Sequence, residues 1–278
     1  MTCESTWVQA GDYPSGDRAL YAELWGGADR APAAGPTIVL EAGSLMPGTQ
    51  DAGWRPIRDA LSAKLPVLLY DRAGLGQSRP APVPRSLSAF TADLRAVLRG
   101  AGAPPPYVLV GASFGGMLVL HYASQHPAEV AGVLLVDATH PTHNQRALAA
   151  LPPEAADEPA ALRDFRKELV GPDRLPPETD EWEHLDVPAS LAEARAIWNL
   201  RAIPLIVLTA GQDTWAPGFP PDAARRYAQV WLDLQMEMAA LSTRGQQRLV
   251  ADSDHDIHVS RPELVIAAIR ELAPGLPA

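Results

Sequence analysis

The chain has 278 residues, enough for one large domain or two small ones. Its 47% hydrophobic and 20% charged residues are the balance of a globular protein rather than a disordered one. A formal net charge of −10 repels phosphate backbones, which argues against nucleic acid as a partner, and the single cysteine, Cys3, rules out an intramolecular disulfide.

The first elements read as an antiparallel hairpin over about residues 6–9 and 18–26. TIVLEAG at 37–43 is then a buried strand ending in glycine, followed by a helical pattern near 53–64 and a second strand, PVLLYD, at 66–71. From 86 to 100 the apolar residues Leu87, Phe90, Leu94, Val97 and Leu98 recur at helical spacing, with Gly100 and Gly102 at the end. YVLVGAS at 107–113 is a strand, and a helix follows to about residue 126, where Pro127 stops it. VAGVLLVDA at 130–138 is the next strand, and IPLIVLTA (203–210) and QRLVADS (247–253) are the last two. The final helix begins near Ser260, with Ser260 as its cap and Glu263 at capping-box distance.

Strands alternating with helices predict a mostly parallel central sheet flanked by helices, an α/β architecture. The segment between Asp137 and Ile203 is too long for a plain crossover. It is broken by proline pairs at 152–153 and 176–177 and has helical patterns at 158–170 and 188–200. Residues 140–202 therefore read as an inserted helical cap, leaving 1–139 and 203–278 as the core. The N-terminus lacks a basic region followed by an apolar run, and no stretch approaches the roughly 18 apolar residues of a membrane span. The expected location is the cytoplasm, and the richness in Ala, Arg and Pro suggests a high-GC bacterial source.

Chemistry concentrates at Gly111-Ala112-Ser113-Phe114-Gly115. A serine between glycines, directly after an apolar strand and directly before an apolar helix, sits on a tight turn that exposes its hydroxyl. The helix start behind it supplies backbone N–H groups and a positive dipole end.

Serine is a weak nucleophile and needs an imidazole to accept its proton. Of the seven histidines, His255 follows the last strand, at the end of the sheet where the serine turn lies. His258 is its competitor, while His121 and His126 run away along the helix after Ser113. The imidazole in turn needs a carboxylate. Asp213, after the strand at 203–210, completes the chain order Ser–Asp–His and stands first; Asp137, after the preceding strand, is the alternative. Asp252, Asp254 and Asp256 are too near His255 in sequence to fold back on its ring. The two oxyanion donors are the N–H of Phe114 and one from the loop after residue 43, with Ser44 ahead of Leu45.

With these pieces placed, the chain resembles the α/β-hydrolase superfamily, in its cap-bearing serine esterase, lactonase and aminopeptidase branch. The residues that carry the likeness are YDRAGLGQS (70–78), GASFGG (111–116), LLVDATHP (134–141), TAGQD (209–213) and SDHDIHVSRPELV (253–265). In that branch, segments similar to Asp71-Arg72-x-Gly74-x-Gly76-x-Ser78 shape a turn, so Asp71 and Ser78 are expected to be structural. There are three departures. Ala42-Gly43, preceded by Glu41, replaces the family's His-Gly. Gly211 is only two residues before Asp213. Asp254 stands where glycine is usual before the histidine, a change expected either to crowd the histidine loop or to add negative charge that raises the His255 pKa.

The expected function is hydrolysis of a small carboxylic ester, lactone or related acyl compound through an acyl-enzyme, without a cofactor or metal. His140 and His143 lack the further ligands a metal site needs. Leu45, Trp182, Trp198 and Trp215, with Phe165 and Phe219, are candidates to line the acyl pocket. A lyase or cyclase using the same triad, or a binding protein that has lost turnover, are the other classes. Oligomeric state is not legible.

Overall fold

The computed structural model describes residues 8–16, 18–26, 35–81, 84–170, 183–197, 199–212 and 218–273. Its eight strands are β1 (Val8–Ser15), β2 (Arg18–Trp25), β3 (Thr37–Glu41), β4 (Val67–Tyr70), β5 (Tyr107–Ala112), β6 (Val130–Val136), β7 (Leu205–Ala210) and β8 (Gly245–Val250). They form one sheet in the order β1-β2-β4-β3-β5-β6-β7-β8. β1 pairs with β2, and β2 with β4, antiparallel; every pairing from β4 onward is parallel.

Every residue of β3, β4 and β5 is buried, which is why these strands read as unbroken apolar runs rather than alternating ones. One face is covered by α1 (Trp54–Ser62) and α9 (Pro262–Leu272), whose Trp54, Ile57, Leu61, Val265 and Ile269 pack on Ile38, Leu40 and Val110. The other is covered by α2 (Leu87–Gly100), α3 (Phe114–Gln125) and α7 (Pro221–Ala239), through Phe90, Leu94, Leu118 and Met238 among others.

Between β6 and β7 the described residues contain α4 (His143–Ala150), α5 (Ala160–Val170) and α6 (Val187–Arg195). α4 and α5 share a separate apolar cluster with α7, built from Ala147, Leu151, Leu162, Phe165, Leu169, Ala223 and Tyr227. The segment after the second proline pair returns to the core at Leu185, which bridges Arg85.

Three sequence expectations need correction. The last strand ends at Val250, not at 253, so residues 251–256 form a loop leading to the short helix α8 (Ile257–Ser260). Ser260 does not cap α9, because its hydroxyl is bonded to Ser253 and to the Asp256 carbonyl, and Arg261 stands at the cap position. The 19-residue helix α7 was not read at all: its apolar positions are diluted by Asp, Arg, Gln and Glu, and only packing against β7, β8 and α4 makes its buried face evident.

Candidate active site

Ser113 stands between β5 and α3 at φ 50°, ψ −121°, a conformation that a serine adopts only under constraint. The constraint is visible in its backbone. Ser113 N–H donates to the Val136 carbonyl at 3.2 Å, and the Ser113 carbonyl accepts from Gly116 and Thr139, each at 3.0 Å. The flanking glycines are needed for close approach. A Cβ on Gly111 would stand 2.5 Å from the Gly115 carbonyl oxygen, and one on Gly115 would stand 2.5 Å from the carbonyl oxygen of Ala42. The turn is thus pressed against the end of β6 on one side and the loop after β3 on the other.

His255 lies on the loop after β8, and its Nδ1 is 2.7 Å from Asp137 Oδ2. A carboxylate only accepts, so Nδ1 carries a proton, and in the neutral ring it is Nε2 that has the lone pair. Asp137 follows β6 in the left-handed region, φ 44°, and is 1% exposed. Its other oxygen, Oδ1, accepts from Ala210 N–H at 2.9 Å and from Trp231 Nε1 at 2.8 Å. Burial works against the charged imidazole, yet the hydrogen bond and charge of Asp137, with smaller contributions from Asp256 and Asp254, raise the His255 pKa above its ordinary value.

Ser44, Ser113, Thr139 and His255 line one cavity of about 330 Å³, whose outer wall is His143, Asn144, Phe165, Glu168, Leu169, Tyr227 and Trp231. The Ser113 hydroxyl is 3.5 Å from that of Thr139. His143 Nδ1 is 3.1 Å from Asn144 Oδ1 and its Nε2 3.2 Å from the Tyr227 hydroxyl; burial lowers its pKa. Burial likewise pushes His140 down to about 4.

The residues expected from sequence fall into three groups. Ser113, His255, Ser44 and Phe165 meet around the cavity, and Phe114 begins α3 directly behind the serine. The Leu45 N–H is taken by Glu183 Oε1 at 2.6 Å, and its side chain is 42% exposed. Phe219 packs edge-on to Phe165 at 5.2 Å. Asp213, Trp182, Trp198 and Trp215 lie outside the described residues; the carboxylate on His255 is that of Asp137, the alternative acid.

His258 is buried elsewhere, stacked on Trp54 at 4.5 Å with Nε2 3.2 Å from Asp51. Asp71 accepts from Thr49 and Gln77, while Ser78 donates to the Asp71 carbonyl, so both brace the turn after β4. Missed from sequence were Trp231, Tyr227 and His143. The first two belong to α7, whose apolar pattern is diluted by polar residues, and the sequence around His143 carries no signal beyond its spacing from His140. Among the described residues no group of three or more His, Cys, Asp or Glu side chains is placed to hold a metal, and no helix is long and apolar enough to cross a membrane.

A strained serine on a strand-to-helix turn, at the carboxyl edge of this sheet order, defines a class of protein. The family model described as the alpha/beta hydrolase fold matches residues 43–240, and the chain belongs to that family. It is 26% identical over 246 residues to an uncharacterised protein of Bacillus subtilis, covering 87% of this chain and 85% of the other. Among solved structures it is similar to a 2-hydroxy-6-oxo-6-phenylhexa-2,4-dienoate hydrolase from a Rhodococcus strain, with TM-score 0.64, 18% identity, and coverage of 96% of this chain and 99% of that one. A thermophilic esterase from Thermogutta terrifontis is similar at TM-score 0.61 and 19% identity, over 95% of this chain and 97% of the other. At these identities the structural likeness speaks for the fold alone.

Proposed function

We propose that this family member is a serine hydrolase of small carboxylic esters, lactones or related acyl compounds, with Ser113 as nucleophile, His255 as general base and Asp137 as the acid of the triad. The observation that carries the reading is one cavity shared by the strained Ser113 and an imidazole whose Nδ1 is held by a buried carboxylate. Sequence order favoured Asp213. Asp137 replaces it here because it has both the bond to His255 and the burial that make a carboxylate effective in orienting a ring.

In this mechanism His255 Nε2 takes the Ser113 proton as Oγ attacks the substrate carbonyl. The N–H groups of Ser44 and Phe114 stabilise the oxyanion, neither having an acceptor among the described residues. Collapse of the tetrahedral species sends the proton from His255 to the departing oxygen. Water, activated by the same imidazole, then cleaves the acyl-enzyme.

Within the insertion expected at 140–202, α4 and α5 act as a cap, since they contribute His143, Asn144, Phe165 and Leu169 to the wall facing the serine. A volume of about 330 Å³ is near the low end of the roughly 300–1,000 Å³ of ligand pockets and favours a small substrate. Its mixed polar and apolar wall suits a short acyl group better than a long alkyl chain. The test combines a fluorophosphonate probe with a panel of esters and lactones graded by acyl length. Labelling abolished by Ser113→Ala, with turnover greatest for short acyl groups, is the expected result. An unlabelled wild type refutes the nucleophile, and labelling without turnover of any panel member refutes hydrolysis.

A further inference from the structure

Arg72, on the turn after β4, is 2% exposed and makes five bonds beside the serine turn. Its Nη1 donates to Glu41 Oε1 at 2.6 Å and to the Ala42 carbonyl at 2.8 Å. Nη2 donates to the Gly43 carbonyl at 2.5 Å and to Glu183 Oε1 at 2.9 Å, and Nε donates to Glu183 Oε2. Glu183 belongs to the β6–β7 connection, and its Oε1 also accepts the Leu45 N–H. The guanidinium carbon lies 5.6 Å from the centre of the Phe114 ring. One side chain therefore touches the peptide before one proposed oxyanion donor and the residue that carries the other.

Peptide planarity gives these contacts a consequence. In a trans peptide the C=O and N–H point in opposite directions. Drawing the Gly43 carbonyl onto Arg72 turns the Ser44 N–H away from the guanidinium, and Ser44 lines the cavity on the Ser113 side. The next residue, Leu45, is held in the left-handed region at φ 62°, unfavourable for leucine, with its N–H committed to Glu183. Beside it, the Ser44 N–H has no acceptor among the described residues and is left to offer a substrate.

A guanidinium buried with two carboxylates is also a poor way to hold a fold together, since apolar side chains of equal volume generally do so as well or better. We propose that Arg72 is a positioning residue for the oxyanion hole: clamped between Glu41 and Glu183, it fixes the Gly43–Ser44 peptide so that the Ser44 N–H meets the oxygen of the carbonyl under attack. The proposal rests on the hydrolase reading above. It adds that Glu183 couples the β6–β7 connection to the electrophilic side of the site.

The test compares an ester with its thionoester, because a thiocarbonyl sulfur gains far less from oxyanion donors than oxygen does. In wild type the ester is strongly preferred. Arg72→Met is expected to lower kcat for the ester by about tenfold to a hundredfold, short of the loss of a whole donor, with KM little changed. The thionoester rate is expected to fall much less, so that the ester-to-thionoester ratio drops about tenfold or more. A variant in which both rates fall together, leaving the ratio unchanged, overturns the positioning role.

Should Arg72→Met fail to fold, Arg72→Lys and Glu183→Gln supply the same ratio, and an unchanged ratio in both overturns the proposal equally. The two readings fail separately. Wild type unlabelled at Ser113 by the fluorophosphonate removes the hydrolase itself, whereas labelled, active wild type with an invariant ratio removes only the role of Arg72.

Discussion

Replacing Asp137 by asparagine removes a charge without removing volume, and its effect follows from three hydrogen bonds. Oδ1 accepts from Ala210 N–H and Trp231 Nε1, while Oδ2 is bonded to His255 Nδ1. Asparagine has one oxygen to offer. Turned toward His255, it would aim its NH₂ at two fixed donors. It will therefore keep its oxygen on Ala210 and Trp231 and point the NH₂ at His255. The ring must then accept at Nδ1 and carry its proton on Nε2, facing Ser113, where it can no longer act as a base. A wrong tautomer of this kind lowers kcat in serine proteases by about 10⁴, equivalent to about 5.5 kcal/mol of transition-state stabilisation. Asparagine tolerates the left-handed backbone at this position, so folding should be retained. The measurements are kcat and KM for a p-nitrophenyl ester of a short acid, with Asp213→Asn assayed in parallel. An Asp137→Asn enzyme within tenfold of wild type, beside an inactive Asp213→Asn, refutes the assignment of the acid.

Further outcomes follow from the same geometry. Because His255 must be neutral to accept a proton and its pKa is raised, kcat/KM should climb with pH through a midpoint above the ordinary imidazole value of about 6.5. Asp254→Asn removes one of the charges that raise it and should move the midpoint down; a pH–rate profile with no shift, or a midpoint below 6.5 in wild type, contradicts this. Trp231→Phe leaves Asp137 Oδ1 with only the Ala210 donor, at a cost of about 1–3 kcal/mol in urea unfolding. The less-solvated carboxylate should grip the imidazolium harder and move the acidic midpoint up, whereas a merely space-filling tryptophan would leave it in place. Gly115→Ala sets a methyl against the backbone oxygens of Ala42 and Glu41, which cannot rotate away, and should cost at least the roughly 1–3 kcal/mol typical of overpacking. Gly11→Ala meets nothing within 4 Å and serves as the control, with an expected change of under about 0.5 kcal/mol.

The serine turn was legible because its chemistry is local. A tight turn between a buried strand and a helix needs Gly111 and Gly115 within a few residues of Ser113, so motif and conformation are written in one short stretch. The parallel core was legible for a related reason: strands buried on both faces leave long apolar runs. His255 could be found by its place after the last strand, even though that strand ends earlier than its pattern suggests.

The acid was not decided by the same reasoning. Asp137 and Asp213 follow neighbouring strands, and chain order does not record which carboxylate meets the imidazole; among the described residues, the left-handed turn at Asp137 and the donors on Ala210 and Trp231 make that contact.

Arg72 tells the same story at longer range. Its sequence neighbours mark a turn, whereas its partners Glu41 and Glu183 are 31 and 111 residues away. By itself the sequence determined the architecture and the turn that carries Ser113, and it pointed to His255 as the proposed base, because each is set by local sterics and hydrophobic pattern. Only the tertiary structure decided which buried charges stand next to them, because an ion pair depends on where distant segments come to rest.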